Sequence, residues 1–320
     1  MGCPIQVMVG QALAEGAPPP GKAAAAARAY LENFDVRLSR FRAGSELSQL
    51  NADPREEVPA SPLLRAAVAA GLWAAERSGG LVDPTVIDAL EDSGYAKSRG
   101  RTRPEPLADA LAAAPPRQPA APDPRARWRS IIVDDAAGLI RRPPGVRFDT
   151  GGSGKGLAAD ALAHQLGAYE RSIVDCAGDV RLAGPGFARV PMHVTLRHPL
   201  TGRDLEPLAP RGGAVATSGI DSRVWKTPDG GYAHHLIDPS TGRPAWTGLV
   251  AVTAVAPTAL EAETLTKMAL LLGPEGAREV LAEHGGVAYG DDGGIELIGP
   301  IAQLLARRPA RPAMRVRLPS

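Results

Sequence analysis

The chain contains little cysteine, almost no net charge and no long apolar segment. Two cysteines, Cys3 and Cys176, are too few for a disulfide framework or a zinc cage. The charges of the 36 basic and 35 acidic residues nearly cancel, so the composition gives no indication of binding to nucleic acid or to an anionic membrane surface. No apolar run approaches the length of a membrane span. At 320 residues and 44% apolar, the chain can bury a globular core and form two lobes.

Lysine is also scarce, because arginine supplies most of the positive charge. The lysines are Lys22, Lys97, Lys155, Lys226 and Lys267. Where arginine is the default cation, a lysine kept inside a motif indicates a need for its compact ammonium.

The two ends of the chain and one internal segment carry no predicted chemistry. Residues 1–9 have a strand pattern without the charged and apolar regions of a signal peptide. We therefore expect a cytoplasmic protein, with an exported form left open if the sequence starts after a leader. Residues 98–127 are rich in Pro, Ala and Arg and predict a short helix within a variable surface loop. The basic tail, 301–320, is expected to be a frayed end.

Cap residues and turn residues predict alternating helices and strands. Helices are expected to start at Ser45, at Ser61-Pro62 and at Thr258, the last ending at Gly273 before a further helix at 274–284. Paired strands are predicted at 130–142, 172–182 and 286–298, and single strands at 193–197 and 214–217. One fully buried strand is predicted at 249–256.

Residues His234 to Pro244 combine two imidazoles, a carboxylate and hydroxyls with Pro and Gly. The apolar pair Leu236-Ile237 predicts a short strand that leads into a turn, where side chains are held by the backbone and still reach solvent. Taken alone, the stretch is equally typical of ordinary turn chemistry with a structural histidine.

Residues Val146 to Gly156 predict a strand that ends at Asp149, a Gly-rich turn and a helix with Lys155 in its first turn. Glycines let a ligand approach the backbone, and the N–H groups of a helix start favour phosphate. Neither GxxxxGK[ST] nor GxGxxG is matched, since Gly156 stands where Ser or Thr is required. The stretch is thus a phosphate-compatible loop outside the two best-known phosphate motifs.

Taken together, these stretches resemble the ApbE family, the FAD:protein FMN transferases. The resemblance spans nearly the whole chain, and collinear motifs are far more specific than any one alone. They lie at Met1-Gly2, Ser39 to Asn51, Val82 to Thr85, Asp149 to Asp160, Ala177 to Asp179, Ala216 to Gly219 and His235 to Gly242.

The resemblance implies an α/β (α+β mixed) fold and a flavin-transferring activity. The ApbE-like fold would be a single domain over 1–320, with two lobes of mixed sheets flanked by helices and FAD in the cleft. The activity would split the FAD pyrophosphate with the help of Mg²⁺ and attach FMN through a phosphoester to a Thr or Ser of an acceptor protein. The acceptor and the oligomeric state are not given by the sequence.

The resemblance also implies which residues hold FAD and move the proton. The FAD positions are Met1, Phe41, Leu81, Val82, Asp83, Asp149, Lys155 and Ile237. An aromatic ring suits stacking on a flavin or adenine, a carboxylate accepts from base or ribose donors, and an ammonium neutralises phosphate. His235 would exchange a proton with the acceptor hydroxyl, because imidazole titrates near working pH. His234 is expected to point away, since neighbours on a strand face opposite sides.

The chain departs from the family at the metal. The resemblance implies Mg²⁺ on a backbone carbonyl, here Gly152, and on an Asp and a Thr four residues apart, where this chain has Glu263 and Lys267. Three interpretations are open. Glu263 still holds Mg²⁺ with water replacing the hydroxyl, or the Lys267 ammonium takes the place of the metal, or the two form a plain surface ion pair.

Two other functions compete with the transferase. An FAD pyrophosphatase would use water instead of the acceptor hydroxyl, giving FMN and AMP. A non-catalytic FAD-binding protein would have lost turnover together with the metal site.

Overall fold

The computed structural model describes residues 4–99 and 102–306. Met1 and the tail from residue 307 therefore lie outside the described residues. The strands are β1 Ile5–Val9, β2 Glu57–Pro59, β3 Ile132–Asp134, β4 Leu139–Arg141, β5 Ser172–Cys176, β6 Asp179–Ala183, β7 Gly213–Gly219, β8 Val224–Lys226, β9 Tyr232–His234, β10 Ile237–Asp238, β11 Arg243–Pro244, β12 Leu249–Ala256, β13 Gly286–Gly290 and β14 Ile295–Ile298. The α-helices are α1 Pro20–Leu38, α2 Glu46–Ala52, α3 Pro62–Arg77, α4 Ile87–Leu90, α5 Leu107–Ala112, α6 Gly154–Gln165, α7 Gly186–Arg189 and α8 Ala259–Leu281.

A seven-stranded sheet in the order β1-β5-β6-β7-β12-β13-β14 forms the centre of the fold. There is also a three-stranded sheet in the order β2-β4-β3, and there are two two-stranded sheets, β8-β9 and β10-β11. The α/β class is thus confirmed. The strand pairings of the described residues are all antiparallel, so the sheets are not mixed in strand direction. The division into two lobes stays a prediction.

Helices α6 and α8 pack together on one face of the large sheet, and a glycine sets how close they come. A Cβ added at Gly156 would lie 2.6 Å from the backbone N and Cα of Leu260, at the start of α8. The Asp160 carboxylate of α6 also accepts the Ala259 and Leu260 N–H groups of α8, both at 2.9 Å. A carboxylate at the N-terminus of a helix accepts hydrogen bonds from the unpaired N–H groups of the first turn and interacts favourably with the helix dipole. The start of α8 is therefore fixed against α6.

The opposite face of the sheet is covered by a loop where the sequence predicted a strand. Residues 194–197 lie against Val215 and Thr217 of β7, while Ser218, which faces the other way, bonds Thr266 of α8 at 2.8 Å. The predicted strand at 193–197 is wrong. It pairs with residues 204–208 only through isolated bridges, Val194 with Leu208 and Arg197 with Asp204, because the register shifts by one residue between the two bridges.

The predicted helix starts and hairpins are confirmed. Ser45, Ser61 and Thr258 each accept a backbone N–H of the following first turn, at 3.0, 3.2 and 3.2 Å. The predicted end of the late helix at Gly273 is confirmed, because Gly273 is non-helical (φ 76°, ψ −171°) and α8 consists of two helices that meet there, the second running to Leu281. Only glycine adopts this conformation without strain. The predicted buried strand is β12, every residue of which is buried.

The segment predicted as a variable surface loop is attached more firmly than expected. It contains the short helix α5, as predicted. Beyond it, Gln118 donates to the Trp246 carbonyl at 2.9 Å and Ala120 to the Leu271 carbonyl at 2.8 Å. These bonds tie the segment to the loop before β12 and to α8. No helix among the described residues is both long and apolar enough to cross a membrane.

Candidate active site

A cavity of about 540 Å³ collects the predicted site residues from distant parts of the chain. This volume lies within the range of ligand pockets, about 300 to 1,000 Å³. Its wall includes Phe41, Leu81, Val82, Asp83, Asp149, Gly152, Lys155, His235, Ile237 and Lys267. Glu263 is fully buried behind this wall. The position of Met1 is not among the described residues.

The Gly-rich loop, Gly151 to Gly156, is held at one side of the cavity by its own backbone and by the neighbouring turn. Asp149 N–H donates to the Pro84 carbonyl at 2.8 Å, and Gly154 N–H to the Thr150 carbonyl at 2.7 Å. A Cβ on Gly151 would lie 2.8 Å from the Asp149 carboxylate. The glycine therefore lets this carboxylate fold back over the loop.

Two carboxylates of the cavity wall are held away from bulk water. Burial raises the pKa of Asp149, and the Arg40 guanidinium, 3.5 Å from its Oδ1, opposes the rise. Burial likewise raises the pKa of Asp83, which accepts the Thr85 N–H at 2.7 Å and the Thr85 hydroxyl at 2.6 Å. Each carboxylate is thus fixed in orientation beside the cavity.

The two neighbouring histidines separate as predicted. His234, the last residue of β9, is fully buried and packs edge-on against Trp246, with ring centroids 4.6 Å apart. Burial lowers its pKa to about 3. His235 instead lines the cavity. Burial lowers the pKa of His235 well below its ordinary value, and the positive charge of Arg223 adds to this shift.

The lowered pKa corrects the expectation that His235 titrates near working pH. The sequence shows a histidine in a turn, but not the burial or the cations around it. With this shift the imidazole is neutral at pH 7. A neutral imidazole accepts a proton and is therefore suited to general-base catalysis.

Two lysines of the cavity wall are each paired with a buried acid. Lys155 Nζ lies 2.6 Å from Asp179 Oδ2, and Lys267 Nζ lies 2.9 Å from Glu263 Oε1. Glu263 Oε2 also accepts the Gly156 N–H at 2.8 Å, which joins α8 to the Gly-rich loop. Burial raises the pKa of Glu263, while the Lys267 ammonium opposes the rise.

The interpretation of Glu263 and Lys267 as a plain surface ion pair is wrong. The side chains are 0% and 10% exposed, because α8 is covered by the sheet and by α6. In the residues that the structure describes, no group of three or more His, Cys, Asp or Glu side chains could hold a metal ion.

The structure adds two cavity residues, Arg40 and Tyr95, that the sequence did not indicate, and a buried tryptophan behind them. The Arg40 guanidinium lies 4.2 Å from the centroid of the Phe41 ring and 4.7 Å from that of Tyr95. Tyr95 in turn stacks on Trp225 at 5.5 Å. Only Arg40 had a local signal, since it lies within the Ser39 to Asn51 motif. Tyr95 and Trp225 are far apart in the sequence and come into contact only in the fold, so neither local sequence indicates their contact.

This chain is similar to known proteins over most of its length. The model of the ApbE family matches residues 1–289. A Klebsiella pneumoniae protein named FAD:protein FMN transferase is 30% identical over 82% of this chain and 74% of its own length. An Escherichia coli protein of the same name is 34% identical over 46% of this chain, and the match spans 42% of that protein's length.

Solved structures show the same fold. The ApbE protein of Thermotoga maritima superposes with a TM-score of 0.75 at 24% identity, covering 95% of this chain and 100% of that one. The flavin transferase ApbE of Vibrio cholerae superposes with a TM-score of 0.72 at 21% identity, covering 95% and 96%.

Proposed function

Because the chain belongs to the ApbE family, we propose that it is an FAD:protein FMN transferase. In this reaction a Thr or Ser hydroxyl of an acceptor protein attacks the phosphorus of the FMN half of FAD. A new oxygen–phosphorus bond forms, the pyrophosphate bond breaks, and the electron pair leaves on the phosphate of AMP. The observation that carries the proposal is that His235, Lys155 and the Gly-rich loop line the same cavity.

The cavity wall is chemically suited to FAD. Phe41 is 37% exposed and offers a ring face for stacking. Leu81, Val82 and Ile237 supply apolar surface. Asp83 and Asp149 supply oriented acceptors for hydroxyl or ring N–H donors. The position of Met1 at FAD stays a prediction, as does the cytoplasmic location.

The phosphates would lie against the Gly-rich loop and the two lysines. Backbone N–H groups at the start of α6 and the Lys155 ammonium offset phosphate charge. This charge increases at the leaving oxygen as the pyrophosphate bond breaks. Fixed positive groups therefore stabilise the transition state more than bound FAD.

His235 would accept the proton of the acceptor hydroxyl. Because its imidazole is neutral at pH 7, it is ready to act as a base without first losing a proton. Once protonated beside Arg223, Lys155 and Lys267, the imidazolium is destabilised, which favours passing the proton on to solvent or to the leaving phosphate.

The proposal is tested by product analysis. The protein is incubated with FAD and a Thr-containing acceptor peptide, and peptide mass and free nucleotides are measured. We expect an FMN adduct on the peptide and one AMP per adduct, and no adduct on a matched peptide with Ala in place of Thr. FMN and AMP without an adduct would indicate a pyrophosphatase, whereas unchanged FAD would indicate binding alone.

A further inference from the structure

The place where the family implies a divalent metal contains a buried ion pair. Both oxygens of Glu263 are engaged, Oε1 with the Lys267 ammonium at 2.9 Å and Oε2 with the Gly156 N–H at 2.8 Å. Mg²⁺ requires about six oxygen ligands in near-octahedral order, and it binds proteins through carboxylates with free lone pairs. Here the nearest carboxylate is occupied, and a cation already stands beside it. The residues present do not fit Mg²⁺.

Lys267 is placed to act on a ligand and not only on Glu263. Its side chain is 10% exposed and lines the cavity, while Glu263 is 0% exposed behind it. Among the described residues, Glu263 is the hydrogen-bond partner of Lys267. An ammonium has three donors, so two remain for oxygens in the cavity. A phosphate oxygen of a bound ligand is a suitable acceptor.

Glu263 fixes the position of this ammonium. The two residues are one helical turn apart on α8, and Glu263 is anchored to the start of α6 by the Gly156 N–H. The Glu263 carboxylate, 2.9 Å from Nζ, holds the ammonium in one place at the cavity wall. The cationic end of this ion pair therefore lies at the cavity wall, close to the Gly-rich loop.

We propose that the Lys267 ammonium, held by Glu263, is a built-in cation that takes the place of a divalent metal at the pyrophosphate of the bound dinucleotide. This inference rests on the proposed function for the identity of the ligand. It states that FAD binding and FMN transfer by this protein do not require Mg²⁺.

The first test compares FAD affinity and FMN transfer in excess EDTA and in excess Mg²⁺. FAD affinity is measured by fluorescence quenching, and transfer by peptide mass. We expect both to agree within about twofold between the two conditions. A loss of tenfold or more in EDTA overturns the inference but leaves the transferase proposal intact. No FAD binding in either condition overturns both.

The second test uses variants and reads metal binding directly. In EDTA, Lys267→Thr should lower FAD affinity at least tenfold. Lys226→Thr, which removes an exposed lysine of β8, should change it less than twofold. Equal effects of the two substitutions would overturn the inference.

The double variant Glu263→Asp with Lys267→Thr removes the ammonium and introduces the Asp and the Thr that the family resemblance implies as metal ligands. Binding of Mn²⁺ to the FAD-loaded protein is followed by the loss of the free-ion signal in electron paramagnetic resonance. We expect no specific binding by the unmodified protein and one ion bound by the double variant. One ion bound by the unmodified protein would overturn the inference.

Discussion

The contact between α6 and α8 predicts that Gly156→Ala destabilises the protein, although alanine is the better helix former. The new Cβ would lie 2.6 Å from the backbone of Leu260 and 2.7 Å from the Ala259 carbonyl oxygen. These atoms belong to the backbone and cannot rotate away. The two helices must therefore move apart, which also strains the Gly156 N–H bond to Glu263.

The magnitude follows from three contributions. Overpacking in a well-packed interior costs about 1 to 3 kcal/mol, and weakening a hydrogen bond to a charged acceptor costs up to about 1.5 to 3 kcal/mol. The higher helix propensity of alanine returns about 1 kcal/mol. We expect the free energy of unfolding to fall by about 2 to 4 kcal/mol, given that the two costs overlap.

The measurement is urea unfolding followed by tryptophan fluorescence, with Gly21→Ala as the matched control. Gly21 also lies in a helix, α1, but a Cβ there meets no atom within 4 Å. The control should be more stable than the unmodified protein by up to about 1 kcal/mol. If Gly156→Ala were as stable as this control, the close approach of α6 to α8 would be refuted.

The remaining predictions concern His235 and Asp221. His235→Ala should leave FAD affinity within about threefold and lower FMN transfer by about 10² to 10⁴. Since the pKa of His235 is lowered, the transfer rate of the unmodified protein should be level between pH 6 and 8 and fall only under acid, where the imidazole becomes protonated; a rise centred near pH 6.5 would contradict this. For Asp221, burial raises the pKa to about 6. The folded state then binds more protons than the unfolded state between about pH 4 and 6, so its stability falls as the pH rises through this range. Asp221→Asn should remove this loss and raise the free energy of unfolding at pH 8, measured by urea unfolding, by at most about 3 kcal/mol. If the stability of the two proteins depended on pH in the same way, the raised pKa of Asp221 would be refuted.

The sequence predicts those parts of the fold that depend on neighbours in the chain. Ser45, Ser61 and Thr258 were assigned as helix caps because a cap bonds a residue only two or three positions further on. The Gly-rich loop and the exclusion of His234 from the site follow from the same local reasoning. The family resemblance added the grouping of distant motifs around one cavity.

The sequence does not predict what depends on burial. The spacing of Glu263 and Lys267 predicts a pair on one helical face, but a surface pair and a buried pair have the same spacing. The pKa of His235 was misjudged for the same reason. Arg197 shows the converse, since a strand-like pattern forms only isolated bridges when the register of its pairing shifts within the segment.

The carboxylates that pair with Lys155 and Lys267 also affect product release in the proposed reaction. Lys155 and Lys267 each keep a carboxylate within 3 Å, at 2.6 and 2.9 Å. Without Asp179 and Glu263, the cavity wall would carry more positive charge, which favours the retention of a nucleotide monophosphate. With them, each ammonium keeps an internal partner after the phosphate leaves. The charges of each pair cancel at this wall, so we expect the proposed transferase to retain AMP less tightly than unpaired ammonium groups would.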